Sequence, residues 1–250
     1  MAVTGWDIDG TDLRTLAYDI RDTDDWDSFP ASKYGVQRHP FRTGFGISDK
    51  TFYRERHLNL NMAVFPQNTS GQVTTSPLEH MQDNIDTLLG LFHSSGLLTI
   101  TRTLPDGLTT RVIEGKVLNS FQVKQLGTFL KRFTVRLDLP YPFWRQGSVK
   151  NVNGTGALVL TNNGNAPIHN AVITFTTAGR LTVNATGDYI ESSAAGVVVD
   201  LGAWTVTQGG SPADNLLSDY NRPWFVDFQP GANSLTATGT VSIDFYDSYL

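Results

Sequence analysis

The chain has 250 residues, 40% of them hydrophobic and 17% charged, which suits one large globular domain or two modest ones with ordinary cores. A net charge of −5 argues against a nucleic-acid binder that works by neutralising phosphates, and the absence of cysteine excludes disulfides, thiolate catalysis and cysteine-ligated zinc. No apolar run nears the roughly 20 residues that cross a bilayer, and Met1-Ala2-Val3-Thr4-Gly5-Trp6-Asp7 lacks the basic and apolar regions of a secretory signal, so synthesis in a cytoplasm without membrane insertion is expected.

The first 30 residues are acidic, with Asp7, Asp9, Asp12, Asp19, Asp22, Asp24, Asp25 and Asp27. Short strands are expected near 35–40 and 52–65, because His57-Leu58-Asn59-Leu60-Asn61-Met62 alternates apolar with polar. One helix is predicted near 77–93. Ser76-Pro77-Leu78-Glu79 reads as a capping box with proline at the first helical position. Leu78, Met81, Ile85, Leu88, Leu89 and Phe92 then share a face, and Gly96 is read as the stop. A hairpin follows, Leu97–Arg102 and Thr110–Leu118 around Pro105-Asp106-Gly107, and then an alternating strand from Phe129 to Leu139.

The composition then changes. Residues 151–250 hold two basic residues, Arg180 and Arg222, against eight acids, net −6, while the remainder is net +1. With the prolines at 140 and 142, this step predicts domains at 1–145 and 146–250. The second half reads as β throughout, with strands at 156–161, 171–176, 181–184, 188–191, 196–200, 203–207, 224–228, 234–238 and 240–246. Turn residues recur between them: Asn163-Gly164, Ala178-Gly179, Thr186-Gly187, Gly209-Gly210 and Pro230-Gly231. In the last, Gly231 is expected at positive φ as the third residue of a type II turn. The expected fold is mainly β: a sandwich-like N-terminal domain with one α-helix, then a C-terminal sandwich or jelly roll.

Candidate chemistry is sparse. Asp7-Ile8-Asp9-Gly10-Thr11 matches the Asp-x-Asp-Gly-Thr motif of haloacid-dehalogenase-type phosphatases, but no buried strand precedes it and no alternating βα pattern follows. An EF-hand starting at Asp7 fails, since Thr11, Asp12 and Tyr18 occupy its fifth, sixth and twelfth positions. An irregular cation site at Asp22, Asp24, Asp25 and Asp27 competes with a solvated acidic turn. His39, His57, His80, His93 and His169 lack metal-ligand spacing. Trp144, Tyr189, Trp204, Tyr220 and Trp224 fit a core or a sugar-stacking platform. No catalytic, cofactor or metal residues are therefore assigned, and an enzyme is not expected.

Four pieces in order carry a resemblance: Pro140-Tyr141-Pro142-Phe143-Trp144; Leu160-Thr161-Asn162-Asn163-Gly164-Asn165-Ala166-Pro167; Phe225-Val226-Asp227-Phe228-Gln229-Pro230-Gly231-Ala232-Asn233-Ser234-Leu235; and Gly239-Thr240-Val241-Ser242-Ile243-Asp244-Phe245-Tyr246-Asp247. Their order and spacing, across nearly the whole chain, resemble the distal tail (Dit) proteins of long-tailed bacteriophages. The resemblance implies a first domain that forms a six-fold ring around a DNA channel, and a galectin-like second domain pointing outward. It also implies attachment to tail-tube protein on one face and to tip or baseplate proteins on the other, with the tape measure protein a further candidate, and a place in the virion tail. A lectin-like module that binds host-surface carbohydrate through the C-terminal sandwich is the alternative.

Overall fold

A computed structural model describes residues 5–13, 18–22, 32–38, 45–53, 56–66, 76–93, 96–104, 106–118, 122–127, 130–217 and 226–250. The chain divides into two compact units, Met1–Pro142 (with Leu250) and Phe143–Tyr249. The architecture is mainly β, built from antiparallel pairs with a single α-helix among the described residues.

In the first unit the strands run in the order Thr11–Asp12, Trp6–Ile8, Leu98–Thr103, Thr110–Val117, Leu130–Leu139, Arg56–Val64, Tyr18–Asp22, and Gln122–Gly127 pairs with the first half of Leu130–Leu139. Leu130–Leu139 meets Thr110–Val117 only at Leu137↔Val117 and Asp138↔Lys116, whereas it pairs with Arg56–Val64 along its whole length. The alternation read from the sequence is the one observed. Phe133, Val135, Leu137 and Leu139 are buried, as are Leu58, Leu60, Met62 and Val64 on the facing register. Ser32–Arg38 and Phe45–Tyr53 form a separate two-stranded antiparallel ribbon.

The helix is Pro77–Phe92. Its buried stripe is Met81, Ile85, Leu88 and Phe92, and Phe92 meets Phe133 with ring centroids 5.9 Å apart. Three details differ from expectation. Leu78 is 56% exposed, because a stripe is buried only as far as the surface beneath it reaches, and Leu78 lies in the first turn; Leu89 is half-buried. No capping box forms: the Ser76 side chain makes no cap hydrogen bond, and Pro77 at the first turn does the work of starting the helix. The helix also closes at His93, whose N–H donates to the Gly90 carbonyl, before Gly96 is reached.

The second unit is organised by one 15-residue strand, Gly231–Phe245. Lys150–Asn162 pairs along it, with a bulge at Gly154/Gly156. On its other side the first half pairs with Gly179–Val183 and the second half with Val172–Phe175. Tyr189–Ser192 extends the sheet beyond Gly179–Val183, and Val197–Asp200, Thr205–Gln208 and Ser211–Pro212 extend it beyond Val172–Phe175. Leu235, Ala237, Val241, Ile243 and Phe245 all turn inward and belong to one core with Ile173, Phe175, Leu181, Ile190, Val197 and Val199, so the two halves of the sheet share a single interior.

The expected break at Gly239, between strands 234–238 and 240–246, is absent. The alternation continues through that glycine. The expected strand 156–161 is also longer, starting at Lys150. Its Asn- and Gly-rich beginning has weak β propensity and is held by its neighbour instead. Of the expected strand 224–228, residues 224 and 225 lie outside the described residues, and Phe228 forms an isolated bridge with Ile168.

Candidate functional site

Asp7 and Asp9 lie on an antiparallel hairpin. Ile8 pairs with Thr11, and the two residues between them, Asp9 and Gly10, have φ of +48° and +80°. Positive φ at both central positions is the two-residue turn that Asp-Gly favours. Asp7 Oδ1 accepts from the Gly10 N–H at 2.7 Å, and Asp9 Oδ1 accepts from the Thr99 N–H at 2.7 Å. Both carboxylates therefore fasten the turn to itself and to the next strand, whereas the phosphatase motif needs them at the end of a parallel strand.

Asp24, Asp25 and Asp27 lie outside the described residues, and Asp22 is described only through the backbone of Tyr18–Asp22. Among the described residues no three His, Asp or Glu side chains converge on a point that could hold a metal ion. The histidines are dispersed. His57 Nδ1 is 3.3 Å from Asp138 Oδ1, His80 is on the helix, His93 closes it, and His39 lies outside the described residues. His169 stacks on Phe143 with centroids 5.9 Å apart, and its Nδ1 is 3.9 Å from Asp227 Oδ2. Burial lowers the His169 pKa, and the Asp227 charge opposes that shift.

The aromatic candidates separate. Trp144 is buried in the core. Tyr189 is covered by the Arg180 guanidinium, 4.2 Å from its ring centroid, and Arg180 in turn donates to Glu191 Oε2 at 2.7 Å. Trp204 is 68% exposed and has φ of +58° in the turn between Val197–Asp200 and Thr205–Gln208. Tyr220 and Trp224 lie outside the described residues.

The pieces that carry the sequence resemblance are knit by polar contacts that the sequence did not single out. The Asn162–Pro167 turn is closed by Asn162, whose Nδ2 donates to the Ala166 carbonyl at 2.8 Å and whose Oδ1 accepts from the Gly164 N–H at 2.9 Å. Asp247, 1% exposed, accepts from the Asn163 N–H at 2.9 Å and pairs with Lys150 Nζ at 2.5 Å. Space here admits only glycine at 164, since a β-carbon would lie 1.7 Å from the Ser248 carbonyl oxygen. At the other turn Gly231 has φ of +92°, and the buried Asn233 bridges it by donating to the Gln229 and Gly231 carbonyls and accepting from the Gln229 N–H. These are scaffold contacts, and the surface they leave is a set of sheet edges and turns.

The described residues thus form a mainly β chain of two units with one α-helix, and no three His, Asp or Glu side chains among them converge. No family model and no curated protein matches the sequence. Solved structures do. The crystal structure of the phage SPP1 Dit protein, described as a paradigm of the hub adsorption apparatus in phages infecting Gram-positive bacteria, superposes with a TM-score of 0.67 at 18% identity. The match covers 99% of this chain and 100% of that one. Chains of the phage P2 baseplate in its activated conformation, with calcium and with strontium, each give a TM-score of 0.53 at 9% identity, covering 98% of both chains. The chain therefore has the Dit fold from end to end.

Proposed function

We propose that this chain is the hub subunit of a long-tailed phage's distal tail. The observation that carries the reading is the extent of the match: all but 1% of the chain superposes on all of a tail hub protein. In this reading six copies close into a ring through the first unit, around a channel that lets DNA pass. One face binds tail-tube subunits, and the other binds tip or baseplate proteins. Physical chemistry supports the ring, the passage and the outward second unit. A head-to-tail contact repeated about an axis closes into a ring, and strands with free edges supply such contacts. The part of the chain that would line the passage, residues 1–150, is nearly balanced at net +1, so it carries no strong excess of basic charge to hold phosphates. The second unit, taken as galectin-like, faces outward, where its excess of acids can stay apart in neighbouring copies.

The test is electron microscopy of the purified full chain with and without tail-tube protein. Six-fold rings that stack on tube ends are expected, and monomers at high concentration with tube protein present would overturn the reading. The carbohydrate-binding alternative draws on one observation, the exposed Trp204 in a left-handed conformation, since a strained exposed ring invites a functional explanation. Glycan-array binding that is lost in Trp204→Ala would promote it.

A further inference from the structure

The helix and the strand it packs against turn opposite charges outward. Phe92 of Pro77–Phe92 meets Phe133 on the inward side of Leu130–Leu139. The helix holds Glu79, Asp83 and Asp86 and no lysine or arginine. All three acids are exposed, and at helical spacing they fall opposite the buried Met81, Ile85, Leu88 and Phe92. Residues alternate along a strand, so Arg132, Thr134 and Arg136 point away from the helix, and all three are exposed. The exposed Lys124 stands directly opposite Arg132 on Gln122–Gly127. The acids on this side, Glu114 and Asp138, are half-buried and lie toward Lys116, which pairs with Asp138. The end at Lys124 and Arg132 is left basic.

Each face carries a repulsion of its own. Like charges directly opposite across two strands are unfavourable, as Lys124 and Arg132 are. Like charges four residues apart on a helix are unfavourable too, as Glu79 and Asp83 are. Among the described residues, none of these four side chains is in an ion pair. Each face also has an exposed leucine at its border. Leu78 is in the first turn of the helix, and Leu118 donates its N–H to the Arg136 carbonyl.

We propose that the basic sheet face at Lys124 and Arg132 receives the acidic helix face, at Glu79 and Asp83, of a second copy of this chain. This rests on the hub reading above and names the surfaces of its head-to-tail contact. Such a contact needs two different, complementary patches on one chain. In a ring of six, each copy is turned only a sixth of a revolution from the next, so the two patches belong on opposite flanks. The helix and the far side of Leu130–Leu139 meet that requirement. Bringing them together sets carboxylates between like cations and cations between like carboxylates, which relieves both repulsions at once. The complementary fields also fix which patch meets which.

The test uses the full chain with tail-tube protein, read by sedimentation and negative-stain microscopy. Lys124→Glu with Arg132→Glu should raise the concentration needed for rings at least about tenfold. Glu79→Lys with Asp83→Lys should do the same, and the four changes together should restore rings. Melting curves check that each variant is folded. Because the chain has no cysteine, Asp83→Cys with Arg132→Cys gives a second reading. Oxidation of that double variant should yield a covalent ladder ending at six copies, while neither single change links copies. Rings that yield no ladder would overturn this interface and leave the hub reading standing, as would rings untouched by either charge reversal. Intact rings with lost binding of tube protein would assign the basic face to the tube and overturn the proposal in the same way. Unaltered chain that stays monomeric with tube protein present would bring down both readings.

Discussion

Gly179 and Gly239 meet back to back: a β-carbon on Gly179 would lie 2.5 Å from the Gly239 amide nitrogen, and one on Gly239 would lie 2.4 Å from the Ala178 carbonyl oxygen. The contact falls where Gly231–Phe245 passes from pairing with Gly179–Val183 to pairing with Val172–Phe175. Two hydroxyls hold the crossing: Thr177 Oγ1 accepts from the Thr240 N–H and Thr238 Oγ1 from the Arg180 N–H, both at 2.8 Å. The glycines are thus what lets one strand serve both halves of the sheet.

Gly239→Ala should therefore destabilise the second unit by about 1–3 kcal/mol, the usual cost of forcing extra atoms into a packed site. Both groups that a new methyl would meet are backbone or a short hydroxyl side chain, which have little room to yield. Thermal denaturation of the full chain checks this. An unchanged midpoint would mean that the crossing is looser than the geometry shows.

The helix offers a paired comparison. Leu88→Ala should cost about 2–5 kcal/mol, because Leu88 is fully buried. Leu78→Ala should stay within about 0.5 kcal/mol in the isolated chain, since more than half of Leu78 is exposed. Denaturant unfolding of both variants tests the difference. Equal effects would show that the buried stripe is wrongly placed.

Asn233 closes the Pro230-Gly231 turn with three backbone hydrogen bonds while 8% exposed. Asn233→Ala should cost about 1–3 kcal/mol, because backbone groups would lose their partners in a site with little water access. Gly231→Val should cost about 1–2 kcal/mol by a different route, since its φ of +92° is unfavourable for a residue with a β-carbon although space around it is open. Neither change should alter ring formation, if rings form through the first unit; microscopy of the two variants checks that.

Burial lowers the His169 pKa in the folded protein below its ordinary 6.5, against the opposing pull of Asp227. The sign follows: below about pH 6.5 the unfolded chain takes up a proton that the folded chain resists. His169 therefore favours folding above that pH, and this contribution is lost as pH falls toward the folded pKa. The melting temperature should drop between pH 7 and 5, with a component that disappears in His169→Gln. The same pH slope in both proteins would assign the effect to other groups.

Much of the fold was written locally in the sequence. Pro77 and the Met81, Ile85, Leu88, Phe92 spacing marked the helix. Leu58–Met62 and Phe133–Leu139 alternated as observed, and Gly231 took the positive φ that its place after Pro230 implied. These are short-range consequences of backbone sterics and of one buried face. The acidic motif at Asp7–Thr11 was equally local once read as a turn, because Asp-Gly is a hairpin signal before it is anything else.

What the sequence by itself determined was the mainly β class, the helix at Pro77–Phe92 and the positions of several turns, since each depends on residues within a few positions of one another. Only the tertiary structure decided that Gly239 continues a strand where an isolated glycine reads as a break, because the reason lies 60 residues away in the backbone at Ala178 and Gly179. It alone joined Lys150 to Asp247 and Asn162 to Ala166. It alone showed that, among the described residues, Lys150–Asn162 pairs on one side only, with Gly231–Phe245. Edges and buried polar pairs are made by residues distant in sequence, and their energies arise from burial and exclusion of water, which no local pattern of residues records.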